Sequence, residues 1–550
     1  MNTIRVVLTA AYFACFAPVL ADVKVNVNLK DGDTISGLFK IVATCESDSV
    51  IQQVEFYLND ELVGIDTSTP YEYTFDTIER EDGTYTLVIA AYAEDGSSQR
   101  VTFKLTTDNQ IGLGAKHHTE LGEEALREQK WKDAILAARV ALKADAKYAP
   151  ALIVMARANL GLGVFDEAQK YIEDAIEVDP TSSFAHDILS QIHVRKAIAI
   201  RATGDDPEKA EQNEKAAFKA AIDAHNKAID LRLRALGPPS EANLNQRLAL
   251  LFDFGQYGEA KNLLRPIVER DPKNLDAQNR MMYAQIRRGE LVDAQKTFDS
   301  LLKRGLGDAR TYAMGAVLAS LRWEDTKADD LMQQALKQDR KSLFVRLCQA
   351  FVVLDRGKAA AAQAAASDLL DSGFSNPEVY YYLGRIYYDQ REYEASRIAY
   401  ENALLQNPAL TEVHIARAME NLRSARATSD AKAAERYLRL ARISFEIALT
   451  ARGESPEALA GLALAHAFSG RSADAARLAA GAQVVGGQTA WVQYVCAAVY
   501  SRANQPEKAR QAMDTAIKLS PEGIAMSMPT LDEAFRYMTK WGRSPVLVAP

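Results

Sequence analysis

Cysteine is scarce in this sequence, with four in 550 residues. Cys15 falls within an N-terminal apolar run, and the remaining Cys45, Cys348 and Cys496 are odd in number and far apart. That excludes a disulfide framework even in an oxidising compartment and leaves buried, small, apolar side chains as the reading. Long apolar runs are also missing beyond residue 21, so no later segment reaches the roughly 20 residues that a membrane-spanning helix needs. Nor does one sign of charge dominate. Basic and acidic residues number 65 and 73, intermixed, for a net charge of -8, which argues against a nucleic-acid surface. There is no phosphate loop, no Gly-x-Ser-x-Gly elbow and no dinucleotide fingerprint after a strand. Histidine is sparse as well. His186 and His193, with His225 on the next predicted helix, come nearest to a metal set, but they lack a recognisable ligand spacing and read better as polar groups on long helices. The sequence therefore predicts no enzyme, no cofactor and no metal.

What is present falls into three stretches. Residues 1–21 read as a secretory signal: Arg5, an apolar run from Val6 to Leu20, and Val19-Leu20-Ala21 before Asp22 as a cleavage site. From Val23 to Thr107 the apolar period is two, as in Val54, Phe56 and Leu58, or Tyr85, Leu87 and Ile89. Turn pairs at Asp31-Gly32, Asn59-Asp60, Asp82-Gly83 and Asp95-Gly96 separate the runs, each placed where positive φ is expected. About seven short strands in this length predict an all-β sandwich over 22–107. The run Val54-Glu55-Phe56-Tyr57-Leu58-Asn59-Asp60, followed by Thr69-Pro70-Tyr71 and Asp82-Gly83-Thr84-Tyr85, resembles bacterial immunoglobulin-like modules. The resemblance implies a spacer or adhesion module.

After a linker at 108–114 the period becomes helical. Small residues recur every 34 positions at Ala260, Ala294, Ala328, Ala362 and Ser396, and paired alanines lie seven apart, as at Ala134 and Ala141 or Ala441 and Ala448. Such alanines keep one helix face thin so that neighbours approach closely. Pro180, Pro272, Pro408 and Pro521 mark helix ends, because proline cannot donate the bond that continues a helix. Leu383-Gly384, Tyr387, Tyr393, Tyr400, Ala403 and Pro408 together resemble the tetratricopeptide repeat (TPR) family. Counting by the period predicts an all-α solenoid of about eleven units over 115–523, with long units at 183–240 and 411–455, and a capping helix and tail at 524–550.

In that family the first helix of each unit lines a concave groove, and the resemblance implies that partners bind there. Carried onto repeats five to eight, the wall comprises Tyr283, Ile286, Val317, Leu321, Phe344, Leu347, Phe351, Leu354, Tyr381, Arg385 and Tyr388. Two readings stand open: tight curvature packs these residues against their neighbours, or a peptide lies along them. The set with which some members clamp a terminal carboxylate is missing, since Thr119 and Glu123 occupy its places in the first repeat. The expectation is an exported, periplasmic or extracellular, non-enzymatic scaffold for a protein or peptide partner, within an envelope complex. The alternative is an adhesion or polysaccharide-associated protein in which the sandwich binds, through tyrosines such as Tyr57, Tyr71, Tyr73 and Tyr92, and the repeats are a stalk.

Overall fold

The computed structural model describes residues 23–203, 207–322, 324–355 and 357–519, so the expected leader and the expected cap lie outside the described residues. The chain divides after Asp179 into two units.

The first unit opens with eight strands: β1 (Lys24–Val27), β2 (Thr34–Ile35), β3 (Leu38–Glu46), β4 (Ile51–Leu58), β5 (Glu61–Asp66), β6 (Tyr71–Asp76), β7 (Gly83–Ala93) and β8 (Ser98–Thr107). They form a three-stranded sheet, β1-β3-β6, and a five-stranded one, β2-β8-β7-β4-β5. Alternation sends Ile41, Val54, Phe56, Leu58, Leu87, Ile89 and Leu105 into one core, as the period-two pattern requires. Asn59 and Asp60 both take positive φ, 47° and 67°, in the two-residue turn that joins β4 to β5. Asp82-Gly83 departs from expectation. Neither residue has positive φ; Asp82 instead accepts hydrogen bonds from the Asn109 backbone (2.8 Å) and side chain (2.9 Å). Asn109 is buried and also receives the Thr77 hydroxyl and the Gly37 N–H, so the stretch between strands and helices is tied to the sandwich at four points.

Four helices complete this unit: α1 (Gly114–Arg127), α2 (Trp131–Ala144), α3 (Ala149–Leu162) and α4 (Phe165–Val178). Arg139 of α2 reaches back to Asp76 at 2.5 Å, and Lys143 donates to the Glu79 carbonyl. Cys45 is half-buried here, whereas Cys348 and Cys496 of the second unit are fully buried; none forms a disulfide among the described residues.

The second unit consists of helical hairpins. The first is long, α5 (Ser183–Thr203) with α6 (Pro207–Ala235). Five regular ones follow: α7 (Leu244–Asp253) with α8 (Tyr257–Arg270), α9 (Leu275–Arg287) with α10 (Leu291–Lys303), α11 (Ala309–Leu321) with α12 (Asp325–Gln338), α13 (Leu343–Asp355) with α14 (Ala359–Asp371), and α15 (Pro377–Asp389) with α16 (Tyr393–Gln406). A second long hairpin, α17 (Thr411–Ala427) with α18 (Ala431–Ala451), precedes α19 (Pro456–Phe468) with α20 (Ser472–Gly486), and α21 (Ala490–Arg502) with α22 (Pro506–Leu519). Helices α4, α8 and α16 each stop two residues before Pro180, Pro272 and Pro408.

Ala260, Ala294, Ala328, Ala362 and Ser396 are all buried at the hairpin contacts; one large apolar core reaches from Val194 to Ala516, and Leu248, Leu251, Ala260, Leu264, Ala277 and Met281 form a separate one. Glycine takes the thinning further. A Cβ on Gly461 of α19 would come within 2.3 Å of the ring of Phe445, itself fully buried on α18. Gly461→Ala is therefore expected to destabilise the second unit by about 1–3 kcal/mol through overpacking, read as a lowered denaturant midpoint with the helical circular dichroism of the native state retained.

Candidate binding groove

The structure brings seven of the eleven wall residues to one place. Tyr283 and Ile286 of α9, Val317 and Leu321 of α11, Leu347 and Phe351 of α13 and Tyr381 of α15 surround a cavity of about 40 Å³. That volume suits water rather than a side chain, and Ile286, Leu321, Leu347, Phe351 and Tyr381 are buried. Leu354 and Arg385 are buried too, Arg385 beside Tyr381 and Tyr400.

At the edge of this cavity lies an arginine that the sequence reading passed over. Arg287, the last residue of α9, pairs with Glu378 of α15 at 3.1 Å and with Glu412 of α17 at 2.6 Å. Tyr283 donates its hydroxyl to Glu378 at 3.1 Å, and the guanidinium stands 5.1 Å from the centre of the Tyr257 ring. Arg452 then donates to the carbonyls of Arg287 (3.1 Å) and Arg288 (2.5 Å). Burial pushes the Glu412 carboxyl above the usual carboxylate range, and Arg287 opposes that shift. One signal was legible: Glu378 and Glu412 are 34 residues apart, both second in a first helix, hence on the same wall. Nothing in the spacing announced Arg287 as their partner.

A second link joins the two long hairpins. Lys215 of α6 pairs with Glu446 of α18, Arg439 with Glu211 at 3.3 Å, and Arg195 of α5 with Glu401 of α16 at 2.5 Å. Phe218, fully buried, meets the His414 ring edge to face at 5.0 Å. The described parts of these hairpins dock on each other and on α16.

Two of the clefts open nearby are lined by residues of this wall. Tyr283 and Leu347 also line one of about 350 Å³, with Phe344, Phe252, Tyr257 and Phe374. Its rings form a chain: Phe252 to Tyr283 at 5.7 Å, Tyr257 to Tyr283 at 6.0 Å, Tyr283 to Phe344 at 5.3 Å. Tyr388 lines the other, of about 400 Å³, with Tyr393, Tyr400, Arg417 and Glu420. Tyr400 donates to Glu420 at 2.6 Å, while burial raises the Glu420 carboxyl to about 7. Among the histidines, His225 is buried against Phe254 and driven down to about 4 by desolvation, with Arg232 adding to the effect. No group of three or more potential metal ligands occurs among the described residues.

Family models match four stretches: bacterial Ig domain at 26–89, and tetratricopeptide repeats at 149–182, 251–318 and 377–410. The chain carries a bacterial Ig domain followed by tetratricopeptide repeats. Among solved structures it is similar to the Cut9–Hcn1 hetero-tetramer of the APC/C, at 14% identity over 78% of this chain and 84% of that one, with a TM-score of 0.41. It is similar to a tetratricopeptide repeat protein from Parabacteroides merdae at 15% identity over 53% of this chain and 98% of that one, TM-score 0.25. The fibronectin(III)-like modules of CbhA from Clostridium thermocellum match at 24% identity over 16% of this chain and 98% of theirs, TM-score 0.14. No curated protein matches. Tetratricopeptide repeats with an Ig-like domain suggest a protein-interaction scaffold, and no catalytic family matches. A bacterial Ig domain suggests an extracellular or surface location, and no described helix is long and apolar enough to cross a membrane.

Two tests follow from this geometry. Arg287→Ala strands two buried carboxylates and is expected to cost about 3–5 kcal/mol, with Glu378→Gln and Glu412→Gln added to the same variant restoring most of the lost unfolding midpoint. Glu420, with a folded pKa near 7 against an ordinary 4.5, binds its proton more tightly in the folded state. Its ionisation therefore penalises folding above pH 7, and the penalty fades as pH falls through 7 towards 4.5. Wild type is expected to gain melting temperature relative to Glu420→Gln between pH 8 and pH 6.

Proposed function

We propose that the protein is exported and serves as a scaffold that takes a peptide or protein partner on the first-helix wall of its repeats. In this reading residues 1–21 are a leader, 22–107 the Ig-like domain, 108–114 the connection, 115–523 some eleven repeats and 524–550 a cap. The observation that carries the reading is the aromatic cleft at Tyr283 and Phe344. Ligand sites run from roughly 300 to 1,000 Å³, and at about 350 Å³ this cleft accepts one anchoring side chain, whereas the 40 Å³ cavity beside it does not. Phe252, Tyr257, Tyr283, Phe344 and Phe374 are all half-buried, so each keeps surface to bury against a ligand. The wall thus divides into a sealed part, where Phe351 and Tyr381 pack, and an open part.

A second surface deserves naming because its side chains share one face. Tyr57 of β4, Tyr92 of β7 and Arg100 of β8 lie on the outer side of the five-stranded sheet, where Arg100 donates to the Tyr92 hydroxyl at 3.1 Å and Tyr57 donates to Glu55 at 2.5 Å. Tyr71 faces the core and Tyr73 stacks on Phe56, which removes them from such a platform. A sugar-binding role for this face is the alternative if the cleft proves idle.

The test is a random-peptide library panned on the full-length protein. Peptides retained by wild type are expected to lose about tenfold or more in affinity for Phe344→Ser, as at an interface hot spot, with the melting curve nearly unchanged. Phe351→Ala, in the sealed part, is expected to cost stability by about 3–5 kcal/mol instead. Equal retention by wild type and Phe344→Ser would remove the cleft from the mechanism.

A further inference from the structure

We propose that the cleft framed by α7, α9 and α13 receives a basic side chain of the partner, a lysine ammonium or an arginine guanidinium, held over aromatic faces with Asp253 as its counter-charge. The proposal rests on the preceding reading of the cleft as a binding site, and it adds the chemistry of what enters.

Three independent features support it. The first is the ring set. Cations are attracted to aromatic faces within about 6 Å of the centroid, and Phe252, Tyr283, Phe344 and Phe374 line an opening of a size to admit an ammonium-bearing stem. The buried side of the same cluster already holds a guanidinium, Arg287, against Tyr257 at 5.1 Å.

The second feature is the charge inventory. Two arginines line the cleft, and both are engaged: Arg280 with Asp276 at 2.8 Å, and Arg310 with Asp276 at 2.7 Å and Asp308 at 3.2 Å. Of the two lining carboxylates, Glu378 is consumed by Arg287. Asp253 is the one left over: it stands exposed at the mouth of the cleft, and among the described residues no cation pairs with it and no donor bonds to it.

The third is the backbone. Asp253 is the final residue of α7, a ten-residue helix, and the C-terminal end of a helix carries partial negative charge that favours a cation. A carboxylate and a helix C-terminus therefore point the same sign of potential at one mouth. An acidic or C-terminal carboxylate ligand would meet repulsion there.

The experiment uses the full-length protein with small probes at constant ionic strength: n-butylammonium and tetramethylammonium chloride against n-butanol as the neutral match, followed by saturation-transfer NMR. Both ammonium ions are expected to bind at least about fivefold more tightly than n-butanol, as cation–π attraction at a partly desolvated site implies. Asp253→Asn and Phe344→Leu, each checked for an unchanged melting curve, are expected to weaken ammonium binding by about fivefold. Equal binding of n-butanol, or ammonium binding untouched in both variants, would overturn the proposal. Selected peptides that bind at the cleft without a basic residue, and bind Asp253→Asn as well as wild type, would also overturn it while leaving the scaffold reading in place. Peptide retention untouched by Phe344→Ser sinks the scaffold reading alone, because the ammonium probes report on the cleft without a peptide.

Discussion

Arg287 ties together first helices that stand far apart along the repeat wall. Its guanidinium joins α9 to α15 and α17, helices 91 and 125 residues further along at the points of contact, through Glu378 and Glu412. A buried ion pair of this kind contributes little net stability, because desolvating three charges costs about what their attraction returns. What it supplies is selection among packings: any arrangement that separates these helices leaves a charge buried and unpaired. The carboxylates stand second in their helices, near the positive end of the macrodipole, which lowers the cost of keeping them ionised. Glu457 repeats the arrangement at the start of α19, buried and influenced by Arg452.

Small side chains make that closure possible. Alanine, or serine at Ser396, at the hairpin contacts and glycine at Gly461 bring neighbouring helices close, so that first helices from distant repeats come within reach of one another. The long hairpins add a second tie, in which α6 uses Lys215 and Glu211 against α18 and buries Phe218 against His414. Length that looked in sequence like an insertion is, in the folded chain, contact between repeats three and nine.

The features legible from sequence were those carried by local periodicity. Alternation located the sandwich core at Phe56, Leu58, Leu87 and Ile89, and the 34-residue spacing located the buried alanines, because each depends only on residues a few positions apart or on a fixed repeat. Asp82-Gly83 misled for a reason of the same kind: the pair is common in turns, but here Asp82 serves as an acceptor for Asn109, a tertiary role that no dipeptide preference encodes. The groove wall was found as a set of residues on first helices, yet whether a given member faces packing or solvent depends on which repeats meet. Phe351 and Phe344 stand seven apart on one helix; the first is buried at the sealed cavity and the second lines the open cleft. That difference depends on which helices pack against each end of α13, and sequence spacing holds no record of it.

The same electrostatic rule separates the structural carboxylates from the one left for a ligand. Glu378, Glu412 and Glu457 sit at helix starts, where backbone N–H groups favour an anion, and the first two share a guanidinium. Asp253 sits at a helix end, where the terminal carbonyls disfavour an anion, and no cation compensates it among the described residues. The basic side chain proposed for the cleft would supply the positive group that Asp253 lacks, between it and the rings of Phe252, Tyr283 and Phe344.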